Sequence, residues 1–283
     1  MLDAVRDILK ENERRKRVIY APFNPVTGEN SVGERVKFVI NDFPLREQWL
    51  PVEMMDEPLV KALAEEGSVK GLIRELYKQS GISIDPEEAR ESVVEQFIRI
   101  RVKYDFAFWA ATFIYIKRKG GGSDCLFRLN RPQRRLVERF EKKRKAGKPI
   151  RLIILKARQW GGSTCTQLYM AWLQLVHKEG LNSLIIAHQS AGSDEINDMF
   201  KRMIEKYPVR MLHDMKDTYS ETEPKYVGVG VSGIIHRVPQ RNFKIKIGTA
   251  MHPKTCLGGD YNLVHLSETA KWRETEGTKP EEG

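Results

Sequence analysis

Apolar residues recur at three- and four-residue intervals through much of the first half of the chain. That spacing predicts helices over residues 2–16, 58–66, 69–79 and 86–103. Val36–Ile40 is the best strand candidate ahead of them. Phe106–Ile116 is almost continuously apolar but too short to cross a bilayer, so it reads as core or interdomain packing. The run Gly120-Gly121-Gly122-Ser123 then breaks the pattern and marks a hinge. Beyond it the periodicity alternates. A helix follows Gln133, and a short apolar run, Leu152–Leu155, leads into a loop ending Gly161-Gly162-Ser163-Thr164. Cys165–His177 reads as a helix with Leu168, Ala171, Trp172, Leu175 and Val176 on its apolar side. Ser183–Ala187 reads as a strand and Ser193–Lys206 as a helix. Tyr226–Val231 and Phe243–Ile247 alternate with period two, as strands with one wet face do, and Leu263–Leu266 is a buried strand. The order predicts an α/β fold: a mostly parallel sheet flanked by helices over 120–283, preceded by a mainly helical accessory region over 1–119.

Composition changes this picture little. A chain of 283 residues with 41% apolar residues can bury a sizeable core. The formal charge of +10 favours a polyanionic partner. Its cations cluster at Arg14–Arg17, at Lys117–Lys119, at Arg131 with Arg134 and Arg135, and at Lys142–Lys145. A solvated basic face and a polyanion-binding face are both consistent with these clusters. Cys125, Cys165 and Cys256 have no metal-ligand spacing and read as reduced thiols. Asp3 and Asp7 fall too early for a secretory signal, and no run is long enough for a membrane helix, so no membrane partner is expected. The six histidines are scattered without metal spacing, and Gly-x-Ser-x-Gly is absent.

The chemistry concentrates at Arg151–Thr164. Strand, glycine loop, then a helix opening on Ser or Thr is an arrangement that cradles phosphates. Backbone N–H groups point inward, the helix N-terminus adds positive potential, and a hydroxyl reaches Mg²⁺. The loop departs from G-x-x-x-x-G-K-[ST]. Gly161 holds the second glycine position, Ser163 holds the hydroxyl position, and Gly162 stands where the lysine belongs. Lys156 and Arg158, earlier in the loop, are the cations available instead. Lys156, Ala157, Arg158, Gln159, Trp160, Gly161, Gly162, Ser163 and Thr164 are therefore the expected phosphate-binding residues. Such a site needs a partner acid at the C-terminal end of a nearby strand. Glu268, closing Leu263–Leu266, supplies it, with Ser267 in the position where a metal-holding Asp usually stands.

Two phrases in this order, Lys156-Ala-Arg-Gln-Trp-Gly-Gly-Ser-Thr164 and His265-Leu-Ser-Glu-Thr-Ala-Lys-Trp272, resemble the ATPase of tailed-bacteriophage terminase large subunits. Many of those motors carry the lysine at the front of the loop and Ser-Glu in place of Asp-Glu. Phe127–Gln133 is similar to their adenine-contacting glutamine motif, which implies a role for Gln133 in ATP binding. Ser183–Ser190 resembles their second core strand. The resemblance spans roughly Asp105–Trp272 and leaves residues 1–104 unmatched. It implies a P-loop NTPase core of the ASCE type that hydrolyses ATP with Mg²⁺. Ser163, Ser267 (through water) and Glu268 would serve the metal, and Lys156, Arg158 and Glu268 would carry catalysis. It further implies translocation of double-stranded DNA into a procapsid by a homo-oligomeric ring, with a small subunit and portal as partners, in the cytoplasm of an infected bacterium.

Two departures stand out. Leu257-Gly-Gly-Asp260 lacks the arginine that relatives often place near this turn. The chain stops at Gly283, before a coupling motif, the last core strands and a nuclease domain, so DNA cleavage is not expected of it. Two other readings share these motifs. One is a helicase-like ATPase, which would normally keep Gly-Lys-[ST]. The other is a non-catalytic fragment that binds DNA or procapsid.

Overall fold

Local signals set most helix ends. The computed structural model describes residues 2–81, 85–118, 120–155, 159–228, 234–252 and 258–274. The chain divides into two compact units, Met1–Val93 and Val94–Gly283. In the first, α1 covers Leu2–Tyr20. An antiparallel pair, β1 (Arg35–Val39) and β2 (Glu47–Pro51), precedes α2 (Pro58–Glu66) and α3 (Val69–Ser80). The α2 helix starts on Pro58 and ends at Gly67, whose φ of 63° is the left-handed cap that glycine adopts without strain. Ser68 Oγ caps α3 by accepting from Gly71 N. Ile40, Leu50, Met54, Val60, Leu63 and Val69 are fully buried and form this unit's core. The α4 helix (Pro86–Tyr104) runs on from here.

In the second unit α5 (Phe106–Phe113) is almost wholly buried, as a continuous apolar run requires. It stops short of Ile116 because the chain turns into a small hairpin, β3 (Tyr115–Ile116) with β4 (Cys125–Leu126). Then come α6 (Arg131–Lys145), α7 (Gly162–Trp172) with a wider turn over Leu173–His177, and α8 (Ser190–Lys206). Five strands form the main sheet: β5 (Ser183–Ala187), β6 (Val227–Gly228), β7 (Ile234–Val238), β8 (Phe243–Thr249) and β9 (Leu263–Leu266), in the order β6-β7-β8-β5-β9. The β8, β5 and β9 strands are parallel, whereas β6–β7 and β7–β8 pair antiparallel. The fold is therefore α/β with a mixed sheet, and the expected mostly parallel sheet is corrected to that extent.

Three sequence expectations fail for physical reasons: the strand at Leu152–Leu155, the burial of Leu263–Leu266 and the wet face of Phe243–Ile247. Leu152–Leu155 forms no strand, and Ile153 and Leu155 are 103% and 102% exposed. Strand-forming residues make a strand only where a neighbour takes their hydrogen bonds, and among the described residues none does. The β9 strand is correspondingly the outer strand of the sheet, with Val264 and Leu266 exposed. The alternating lysines of β8 do not mark a wet face. Lys246 is buried, and the Lys244 ammonium lies 5.9 Å from the Tyr261 ring centroid, so both bury their stems on a central strand.

An aromatic cluster from α5, α6 and α7 anchors the unit. The Phe106, Tyr169 and Trp172 rings lie 5.4–5.5 Å apart, and Phe140 is 4.8 Å from Tyr169. Trp172 Nε1 donates to Val102 O at 2.8 Å, and Trp109 Nε1 donates to Tyr207 Oη at 3.1 Å, so neither indole is buried with its N–H unmet. His177 packs against Trp172 with 4.3 Å between ring centroids, and its Nε2 is buried without a hydrogen bond among the described residues. Burial, helped by the nearby Arg144 cation, pushes its pKa from 6.5 down to about 4. Below pH 6.5 the unfolded chain takes up a proton that the native chain refuses, so the stability present at neutral pH falls as pH drops toward 4. Chemical denaturation at pH 7 and pH 4.5 should show about 2 kcal/mol of this loss disappearing in His177→Phe. An unchanged acid slope in that variant would show that His177 does not cause it.

Candidate functional site

The loop joining residues 159–161 to α7 is held from the start of α6. Asn130 and Gln133 form a capping box: Asn130 Oδ1 accepts from Gln133 N at 3.0 Å, and Gln133 Oε1 accepts from Asn130 N at 2.8 Å. Their remaining amide hydrogens reach across to the loop. Asn130 Nδ2 donates to Trp160 O at 2.9 Å, and Gln133 Nε2 donates to Gly161 O at 3.0 Å and to Trp160 O at 3.4 Å. Gln133 is buried, so its two bonds to the loop are partly sheltered from water, whereas the Asn130 bond is exposed.

Both loop glycines have a structural reason. Gly161 has φ of 78°, and a Cβ there would lie 2.6 Å from Gln133 Nε2. A Cβ at Gly162 would lie 2.5 Å from the Trp160 indole, which folds back over the start of α7. The position that usually carries the phosphate lysine is thus closed to a side chain by Trp160. Gln159 is also left-handed, at φ 62°. Lys156, Ala157 and Arg158, expected as phosphate contacts, lie outside the described residues.

The α7 helix then brings its first hydroxyl to the end of β9. Ser163 Oγ and Ser267 Oγ are 3.4 Å apart, although they are 104 residues apart in sequence. Ser267 N donates to Ile186 O at 2.9 Å, which carries the β5–β9 pairing one step past the strand, and Trp272 Nε1 donates to Ser267 O at 3.1 Å. One turn further along α7, Gln167 Nε2 lies 3.2 Å from His265 Nδ1, a second tie between this helix and β9. Thr164 lines the same cleft, while Cys165 is wholly buried and its thiol is pushed up by desolvation.

Glu268 follows directly. It has φ of 56°, a left-handed backbone that costs a non-glycine residue about 1–3 kcal/mol and that clusters at functional sites. Its Oε2 accepts from Lys271 Nζ at 3.0 Å, with both side chains exposed by two-fifths or more. Glu268, Ser267, Ser163, Thr164, Gly161, Trp160, Gln159 and Gln133 all line one cleft of about 1140 Å³. Its far wall is formed by β3–β4, the end of β5 and α8. Asp124 ties the hairpin side to α8, at 3.0 Å from Arg202 Nε and 2.6 Å from Lys206 Nζ; the Lys206 hydrogen bond holds its carboxyl below the usual carboxylate range.

Of the residues that sequence patterns singled out, Gln133, Gln159, Trp160, Gly161, Ser163, Thr164, Ser267 and Glu268 therefore meet around one cavity. Lys271, His188 and Gln189 also line it and were not singled out. Lys271 stands three residues after Glu268, a spacing that would have flagged it. His188 and Gln189 close β5, whose C-terminal end is where ligands enter open sheets. Among the described residues no cluster of three His, Cys, Asp or Glu side chains is placed to hold a metal, and no helix is long and apolar enough to cross a membrane. No family model matches the chain, and no curated protein matches it either.

Proposed function

We propose that this chain is an Mg²⁺-dependent ATPase with a P-loop core, acting as the motor part of a terminase-like machine that moves double-stranded DNA. The observation that carries the reading is the meeting of Ser163 with Ser267 at 3.4 Å, beside Glu268, at the N-terminus of α7 and the C-terminal end of β9. A phosphate at the start of α7 would sit on free backbone N–H groups and the positive end of the helix. Lys156 and Arg158 are the loop cations that would balance its charge.

The site suits Mg²⁺ despite having no carboxylate cage. That ion keeps several waters and usually takes only one or two protein oxygens beside substrate phosphates. The Ser163 hydroxyl would supply such an oxygen directly and Ser267 would hold the ion through water, with Glu268 beside them on the same cleft. When bound, the metal would neutralise charge on the phosphates. Glu268 would orient the attacking water and accept its proton, and Lys271, at 3.0 Å, would keep that carboxylate aimed. Gln133 and Asn130 would serve by fixing the Trp160 and Gly161 carbonyls and with them the course of the loop.

Release of inorganic phosphate from ATP by the purified chain, with and without Mg²⁺ and duplex DNA, tests the reading. Release that requires Mg²⁺ and rises with DNA supports it; no release under any condition counts against it. One observation favours a second reading, a non-catalytic DNA- or procapsid-binding chain. Residues 151–155, which lead into the loop, are exposed and outside the sheet, so the loop's leading segment is held less firmly than its trailing one.

A further inference from the structure

We propose that the outer face of α6 is the surface that grips the duplex, through its phosphate backbone. The helix carries eight Lys and Arg residues against two Glu, a formal excess of six positive charges. Its inner side is neutralised: Glu141 is buried, accepts from Arg144 at 2.7–2.8 Å and takes the Tyr169 hydroxyl. Its outer side carries one exposed acid, Glu138, one turn from Arg135 and from Lys142, and stays in positive excess. Arg135, Arg139, Lys142 and Lys143 are exposed, stand at i, i+4, i+7 and i+8, and form no ion pair with any described carboxylate. Lysines in the last turn are explained by the negative end of the helix dipole, but Arg135 and Arg139 lie mid-helix, where that effect has died away. Upstream, burial and, to a lesser degree, the neighbouring Arg131 hold the Arg134 guanidinium below its ordinary pKa.

The face also selects among polyanions. Its aromatic residue, Phe140, is buried, so no exposed ring offers a stacking platform for unpaired bases. It exposes no large apolar side chain, so it lacks what an interfacial membrane helix needs. A rigid row of cations about 12 Å long, eight residue steps of about 1.5 Å from Arg135 to Lys143, suits a stiff, evenly charged rod, and backbone contact of this kind reads no sequence. The inference rests on the proposed motor function for the choice of duplex DNA as partner; the geometry of the stripe stands without it.

Fluorescence anisotropy of a labelled duplex, titrated with chain at several salt concentrations and without nucleotide, is the test. The variant combines Arg135→Gln, Arg139→Gln, Lys142→Gln and Lys143→Gln. The control, Lys61→Gln, Lys70→Gln, Arg74→Gln and Lys78→Gln, removes the same charge from α2 and α3. The α6 variant should bind at least about tenfold more weakly, and its slope of log affinity against log salt should shrink by up to about 3.6, four contacts at about 0.9 each. The control should keep the wild-type slope, with unchanged helix signal in both. Equal losses in both variants, no loss in the α6 variant, or polyglutamate or single-stranded DNA binding the wild type as tightly as duplex would overturn the assignment. Mg·ATP binding measured on the same preparations separates the two proposals: absent ATP binding with the α6 effect intact removes the motor reading and leaves the DNA surface.

Discussion

Glu268→Gln is expected to slow phosphate release from ATP by about 10²–10⁴-fold while leaving Mg·ATP affinity within a few-fold. The substitution keeps shape and removes charge, so it separates the chemical step from binding. Glutamine meets the same left-handed backbone at φ 56° that glutamate meets, so the fold should absorb it without added strain. Lys271 loses its charged partner, but the pair is exposed on both sides, and such pairs contribute roughly 0–1 kcal/mol to stability. A large fall in rate would therefore report catalysis rather than unfolding. An unchanged rate would reduce Glu268 to a surface acid paired with Lys271.

The second large effect is expected at Gly162. A methyl group there would meet the Trp160 ring at 2.5 Å, so Gly162→Ala must drive the indole off the start of α7. Relieving such overlap typically costs about 1–3 kcal/mol, which corresponds to roughly 5- to 150-fold in nucleotide affinity if the loop geometry carries binding. Trp160→Ala removes the obstacle, so adding Gly162→Ala to it should cost far less than adding it to the wild type. Calorimetric affinities of the two single variants and the double variant would reveal this coupling. Purely additive losses would mean that Trp160 does not close the lysine position, and the displaced lysine would need another explanation.

The sequence made some of this structure legible and hid the rest for identifiable reasons. The β5 strand and the α5 helix were readable because continuous apolar runs must be buried, and α2 and α3 because proline, serine and glycine mark their ends. Leu152–Leu155 shares the Leu-Ile-Ile run of β5 yet lies outside the sheet, because pairing is decided by distant neighbours rather than by local preference. The lysines of β8 mislead in the same way: alternation shows which side chains share a face, not whether a long stem can bury there. At the site, motif order led to the meeting of Ser163 with Ser267, since strand ends and helix starts have fixed places in a sheet fold. The clamp of Gln133 on the loop carbonyls and the fold of Trp160 over Gly162 depend on side-chain placement, for which the linear pattern holds no signal.

The central claim is that a nucleotide's phosphates bind at this loop, with the lysine moved to its front. Isothermal titration of Mg·ATP into the purified chain, wild type beside Lys156→Ala, tests it most directly. Saturable binding in the wild type that falls at least about tenfold in the variant, the loss of one charge-assisted phosphate contact, is the predicted result. Wild-type chain that takes up no Mg·ATP, or a variant that binds as tightly as wild type, would contradict it.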